Sequence, residues 1–285
     1  MTSHDVVNAV RRIVHTRRVG HAGTLDPLAT GVLVVMVGPT TRLARFLSGA
    51  SKSYHAVIRL GVSTTTYDAA GEVVARRPVA VERAAVAAAL AQFRGTLQQV
   101  PPMYSALKVR GKPLYKLARQ GREIKRLPRE VTVHELLLTA WNLPELTVEV
   151  TCSAGTYVRS LAHDLGELLG CGAHLTALTR TASGSFRIAE SVSLAGLRAL
   201  AEHGHLAEAL LPPQAALAAL PIVHLTPEQV RAVCHGQSVA LEQAPDTNEI
   251  QAWDEEGHLV AVLIPVAEGR WRPNLVLAQS PRTQD

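Results

Sequence analysis

Apolar residues recur at Val6, Val10, Ile13 and Val14, a helical period over residues 3–16 with Ser3 placed as the N-cap. Residues 31–37 form a short apolar run and read as a buried strand. Leu43, Phe46 and Leu47 mark one face of a helix over 40–47, and residues 54–60 are strand-like up to Gly61. An alanine-rich stretch predicts a helix over 81–93. Residues 131–138 and 146–152 alternate as half-buried strands do. Leu161, Leu165 and Leu168 set a helix over 156–169 that stops at Gly170. Helices and strands intermix without repeating strand–helix–strand units, which predicts an α+β fold with a mixed, largely antiparallel sheet.

A change of texture follows. Leu210-Leu211-Pro212-Pro213 and Pro221 read as a linker. Beyond it lie a short helix over 226–235 and two strand-like runs, 249–253 and 258–266, joined by Asp254-Glu255-Glu256-Gly257. A turn at 268–270 leads to Trp271-Arg272-Pro273 and the apolar run 275–277. The expected organisation is a larger domain over 1–212 and a smaller one over 221–282.

Composition narrows the class. Of 285 residues 47% are hydrophobic but only 4% aromatic, so the core is mostly aliphatic. No apolar run approaches the ~18 residues of a membrane span, and the N-terminus is amphipathic rather than a signal peptide. The cysteines, Cys152, Cys171 and Cys234, are odd in number and form no close pair. They read as free thiols in a reducing compartment, so a cytoplasmic protein is expected. His203 and His205 lack zinc-ligand surroundings and read as solvent-facing; no metal is expected.

Charge is uneven along the chain. Residues 1–189 carry 24 Lys and Arg against 12 Asp and Glu, whereas residues 190–285 carry 5 against 12. Residues 104–130 hold nine cations, Lys108, Lys112, Lys116 and Arg119 among them, against Glu123 and Glu130. Tyr104 and Tyr115 are interleaved with these. A charge run is commonly just a solvated face. Cations with aromatics between them also supply phosphate contacts and stacking faces together, and this favours nucleic acid.

The candidate chemistry sits in Gly20-His21-Ala22-Gly23-Thr24-Leu25-Asp26-Pro27-Leu28-Ala29-Thr30-Gly31. Glycine permits tight backbone turns, and Pro27 biases Asp26 away from the α region. Asp-Pro in a glycine-rich loop is ordinarily a plain turn. Here the loop is stiff and offers a single carboxylate, which suits a nucleophile.

The whole string resembles the catalytic motif of the TruB-type pseudouridine synthases. Lys52-Ser53-Tyr54 leading to Leu60-Gly61, and Thr66-Tyr67-Asp68-Ala69-Ala70-Gly71 after it, are similar to the second motif of that family. Pro101-Pro102-Met103-Tyr104-Ser105-Ala106-Leu107-Lys108 resembles its RNA-gripping insertion, expected over about 101–130. Cys152-Ser153-Ala154-Gly155-Thr156-Tyr157-Val158-Arg159-Ser160 resembles its third motif, and Cys171-Gly172-Ala173-His174-Leu175 with Leu178 and Arg180 the segment that follows. The tail resembles the small PUA-type β-barrel that such proteins often carry, with RNA contact limited to Arg270 and Arg272. The family's usual leader, a strand and a Lys-Pro-x-Gly turn ahead of Met-Thr-Ser, has no counterpart before Met1-Thr2-Ser3. This bears on edge-strand pairing more than on chemistry.

The resemblance implies a function: isomerisation of uridine 55 in the T loop of tRNA, without cofactor or metal, by a monomer. It implies Asp26 as nucleophile, at the ribose C1′, at C6 of the base, or through elimination on the 2′ side. Arg159 would keep Asp26 ionised and aimed. Tyr54 would stack on the flipped base and aid removal of the C5 proton, with Tyr157 lining the same pocket. His21 would occupy the space the base leaves. Leu178 would be pocket wall or simply core. Two rival readings are a non-catalytic RNA-binding or RNA-folding module, which would not need Asp26, Tyr54, Tyr157 and Arg159 together, and a hydrolase, which lacks a second carboxylate or histidine placed beside Asp26.

Overall fold

The computed structural model describes residues 1–105, 107–109, 111–118, 120–241, 245–266 and 269–277, with Lys108 described by its backbone alone. It divides into two compact units. The first comprises Met1–Asp5, Gly23–Val34 and Ser48–Ser191, and the second Val6–Ala22, Val35–Leu47 and Val192–Asp285.

The first unit is built on a seven-stranded sheet. Its strands run in the order Phe186–Arg187, Ala173–Ser183, Lys52–Leu60, Glu145–Cys152, Arg129–Asn142, Gly95–Gln99. All of these neighbours are antiparallel. Thr30–Gly31 adds a short parallel pairing to Ala173–Ser183, so the sheet is mixed. Alternation explains the burial: Ala56, Ile58 and Leu60 on one strand, and Leu146, Val148, Val150 and Cys152 on the next, all enter one core. Val158, Leu161, Ala162 and Leu165 of the Val158–Leu168 helix join it, as do Val86, Ala89 and Leu90 of the Arg83–Ala91 helix.

Two expectations change here. The apolar run 31–37 is not one strand but two pieces, Thr30–Gly31 and Val34–Val37. Ser3 does not cap its helix: its hydroxyl accepts from the Leu25 N–H at 2.9 Å and donates to the Leu25 carbonyl at 3.3 Å. Thr2 takes the capping role, its Oγ1 accepting from the Asp5 N–H at 3.2 Å. The Ala173–Ser183 strand was not legible as a strand. Register shifts between Leu175 and Ala177, and again between Arg180 and Ala182, break its alternation, and a charged residue occupies a buried position.

In the second unit, Val7, Val10 and Val19 are buried with Leu194 and Leu197 packed on them. A five-stranded sheet runs in the order Ile222–His224, Ile250–Trp253, Leu259–Pro265, Arg270–Val276, Val239–Ala240. The Pro227–Cys234 helix starts in a capping box between Thr226 and Gln229. The expected linker is part of this core. Leu217 is fully buried with Leu43, Val262 and Leu275, and the buried Gln251 amide donates to the carbonyls of Leu217 and Leu220 at 3.2 and 2.9 Å. The first and last strands of the sheet order hold three and two residues, too short to show a period. The end of the smaller domain expected over 221–282 lies outside the described residues. Among the described residues, no helix is long and apolar enough to cross a membrane.

Candidate active site

The loop carrying Asp26 is clasped at both ends by one side chain. Arg180, almost wholly buried, donates from Nε to the Val32 carbonyl at 2.7 Å and from Nη2 to the Gly23 carbonyl at 3.0 Å. The Val32 N–H donates back to the Arg180 carbonyl at 2.9 Å. Gly31 makes this approach possible, whereas Gly23 is favoured by its backbone angle rather than by space. Gly31 has φ of +95°, and a Cβ there would lie 2.2 Å from the Arg180 oxygen. Gly23 has φ of +78°, and a Cβ would stand 3.4 Å from Arg180 Nη1 and 3.6 Å from the Lys52 side chain. Inside the loop, the Ala29 N–H donates to the Asp26 carbonyl at 2.9 Å.

Arg159, second residue of the Val158–Leu168 helix, commits every N–H it has. Nε and Nη2 donate to the two Asp26 carboxylate oxygens, both at 2.8 Å, a bidentate pair. Nη1 donates to the Thr66 carbonyl at 3.2 Å and to Asp68 Oδ2 at 3.3 Å, and Nη2 also donates to the Tyr104 carbonyl at 2.9 Å. Asp68 is itself fixed, accepting from Thr66 Oγ1 at 2.5 Å and from the Ala70 N–H at 3.0 Å. The Arg159 and Asp68 side chains are 4% and 6% exposed, whereas Asp26 retains 31%, so Asp26 is the member of the trio open to solvent.

The electrostatics oppose one another at Asp26. Burial raises its carboxyl above the ordinary 3.8; the Arg159 guanidinium pulls back, Asp68 pushes the same way as burial, and Arg180 pulls back again. Two parallel N–H···O contacts to a guanidinium are the geometry of an ionised carboxylate. Tyr54 also rises above its usual 10.0, because of burial, with Arg180 opposing, so its phenol is neutral at neutral pH. Tyr54 and Arg180 are direct partners across the Lys52–Leu60 and Ala173–Ser183 strands.

Tyr157 lies just before the Arg159 helix, its backbone gripped by the buried Gln99 amide, which donates to the Tyr157 carbonyl at 3.1 Å and accepts from its N–H at 2.7 Å. Leu178 is 6% exposed and belongs to the core cluster, on whose margin Leu28, Ala29 and Tyr54 pack. His21 lies on the Val19–Ala22 strand of the second unit. In the 101–130 stretch, Lys112 is exposed on a two-stranded ribbon turning at Gly111, and Lys116 is exposed on the Leu114–Ala118 turn of helix. Arg119 and the Lys108 side chain lie outside the described residues. Three participants had no role assigned from sequence: Asp68, Arg180 and Gln99. Arg180 carried no positional signal, since the strand that holds it was not legible in the sequence.

Among the described residues, Asp254, Glu256 and His258 bring ligand atoms within 4.8 Å of one another. They belong to an exposed turn in which Asp254 already accepts from the backbone N–H groups of Glu256 and His258.

Comparison with known proteins identifies the family. Residues 11–158 match the model of the TruB family pseudouridylate synthase N-terminal domain, and residues 159–218 that of the tRNA pseudouridylate synthase B C-terminal domain. The tRNA pseudouridine synthase B of Dehalococcoides mccartyi is 44% identical over 284 residues, which cover 99% of this chain and 95% of that protein. That of Pseudomonas aeruginosa is 42% identical over 280 residues, 97% and 92% of the two chains. In fold, the chain superposes on a protein chain of an H/ACA RNP bound to a substrate RNA containing 2'-deoxyuridine, with TM-score 0.76 at 24% identity over 98% of this chain and 82% of the other. Two contiguous family matches, and relatives above 40% identity over nearly the full length, place the chain in the TruB family of pseudouridine synthases, a family of isomerases.

Proposed function

We propose that this chain converts uridine 55 in the T loop of tRNA to pseudouridine, with Asp26 as the nucleophile. The observation that carries the reading is the bidentate Arg159–Asp26 pair, which keeps an ionised carboxylate partly exposed in a stiff loop. The relatives named for action on tRNA match it over nearly their whole length.

The isomerisation breaks the N1–C1′ bond of the uridine and joins C5 to C1′. The C5 proton leaves and N1 gains one, so atoms balance without redox change or a lost group. A carboxylate and a proton path suffice. Asp26 attacks C1′, adds to C6, or acts through the 2′ side. Flipping the base costs a few kcal/mol, and stacking on an aromatic returns about 1–3 kcal/mol. Tyr54 is the aromatic at the site margin, and its neutral phenol suits stacking. Tyr157 lines the pocket, Leu178 forms its apolar floor, and His21 fills the gap in the RNA. Lys108, Lys112, Lys116 and Arg119 hold the T arm through its phosphates. The reading extends to a catalytic domain over 1–212 with its insertion at 101–130, a PUA-like barrel over 221–282 and a monomer working in the cytoplasm.

The test is incubation with an unmodified tRNA transcript and mapping of the altered nucleotide. Pseudouridine at position 55 is expected, and none with Asp26→Asn, whose tRNA affinity stays within about tenfold because phosphate contacts dominate binding. Modification at another position, or full turnover by Asp26→Asn, sinks the proposal.

A further inference from the structure

Arg159 and His163 are four residues apart on the Val158–Leu168 helix and therefore share a face. Both reach the same turn, residues 66–68. Arg159 bonds its two ends, the Thr66 carbonyl and the Asp68 carboxylate. His163 covers its middle: the imidazole stacks on the Tyr67 ring with centroids 3.9 Å apart and planes 9° from parallel. Stacking is what holds that imidazole, since its Nδ1 is buried without a hydrogen-bond partner among the described residues.

Tyr67 has φ of +63°, a left-handed conformation that a bulky residue avoids and that persists where the surroundings impose it. The consequence is geometric. With Tyr67 turned this way, its carbonyl accepts from the Leu175 N–H at 3.0 Å while the Ala69 N–H donates to the Leu175 carbonyl at 2.9 Å, and Thr66 and Asp68 both present oxygen to Arg159. A relaxed Tyr67 would redirect one of those oxygens.

We infer that Tyr67 and His163 are positioning residues for the reaction: their stack locks the 66–68 turn in the strained conformation that orients Arg159, and through it the Asp26 carboxylate. The inference rests on the reading of Asp26 and Arg159 as the reacting pair. It assigns no contact with RNA to either ring, so loss of the stack acts on turnover and not on substrate affinity.

Steady-state kinetics on an unmodified tRNA transcript test it, at a temperature where circular dichroism finds each variant folded. Tyr67→Ala and His163→Ala lower kcat about tenfold or more and leave KM within about twofold. Tyr67→Phe and His163→Phe, which keep a flat ring for stacking, retain near-parental kcat. Tyr67→Gly accepts the left-handed φ without strain but has no ring, and it falls with the alanine variants. A merely structural role would lower the melting temperature and spare kcat in the folded protein. Unchanged kcat in folded His163→Ala, a rise in KM alone, or phenylalanine variants as poor as the alanine ones would overturn the inference. Asp26→Asn in the same assay separates the two levels. Turnover by Asp26→Asn rejects the underlying reading, whereas an inert Asp26→Asn beside a fully active His163→Ala rejects the positioning role alone.

Discussion

A guanidinium with all its donors committed fixes two carboxylates at once, and only one of them is open to solvent. Asp68 is buried and acts as an anchor for Arg159, while Asp26, at 31% exposure, is the carboxylate open to solvent. The cost of this arrangement falls on Asp26, whose carboxyl burial lifts above 3.8. The sign of the effect follows. The folded protein binds this proton more readily than the unfolded chain, so the group's contribution to stability declines as pH rises from 3.8 through its folded pKa. Under the proposed role of Asp26 as nucleophile, activity moves the opposite way, since that role needs the ionised carboxylate. The acid limb of the kcat/KM–pH profile is therefore expected above pH 3.8, measured where circular dichroism finds the chain folded; a limb centred at or below 3.8 contradicts the assignment. Asp26 and Arg159 could be read from sequence because each stands in a distinctive string of residues. Asp68 could not, because its role depends on a buried partner 91 positions away. Arg180 was hidden by the opposite circumstance. A charged side chain at a core position reads as solvent-facing until its two carbonyl partners, 157 and 148 residues distant, are known.

The elements follow the same logic at a larger scale. The Val158–Leu168 helix and the Lys52–Leu60 strand announced themselves by periodicity, whereas the Ala173–Ser183 strand, which positions both Leu178 and Arg180, lost its period to two register shifts. The helix also contains a glycine that periodicity alone treats as a weakness. Alanine at 166 would gain up to about 1 kcal/mol in helix propensity. Yet a Cβ on Gly166 would lie 2.0 Å from the Ala173 nitrogen and 2.3 Å from the Gly172 carbon, and both are backbone atoms that cannot swing aside. Packing wins this competition. Gly166→Ala is expected to destabilise the fold by about 1–3 kcal/mol in urea titration, the usual cost of overpacking, and to lower turnover by shifting the helix that carries Arg159. A variant as stable as the parent would mean that the 170–173 turn yields.

At the scale of the whole molecule, folding redistributes charge that looks segregated along the chain. The acidic tail shares the second unit with Arg11, Arg12, Arg17, Arg18, Arg42 and Arg45, so that unit holds 11 Lys and Arg against 11 Asp and Glu. Arg45 pairs with Glu249 at 2.5 Å, and Arg42 donates to the Val276 carbonyl at 2.6 Å. The first unit keeps 18 cations against 13 anions. Its excess of five is smaller than the net seven of residues 104–130, so elsewhere the unit is slightly anionic and its positive charge is concentrated in that stretch. Linear order conceals which arginines fold beside which acids. The stretch is also joined to the chemistry, since the Tyr104 carbonyl at its start accepts from Arg159. Under the proposed function, RNA grip and catalysis separate in their salt dependence. Removing one lysine–phosphate pairing reduces the slope of log affinity against log salt by roughly 0.7–0.9. Replacing Lys108, Lys112 and Lys116 together by alanine is expected to flatten the slope by about 1–3 in filter-binding titrations with tRNA, while kcat at saturating RNA stays near the parental value. An unchanged slope removes these lysines from the interface, and a collapse of kcat at saturation would mean that they orient the RNA in the site as well as hold it.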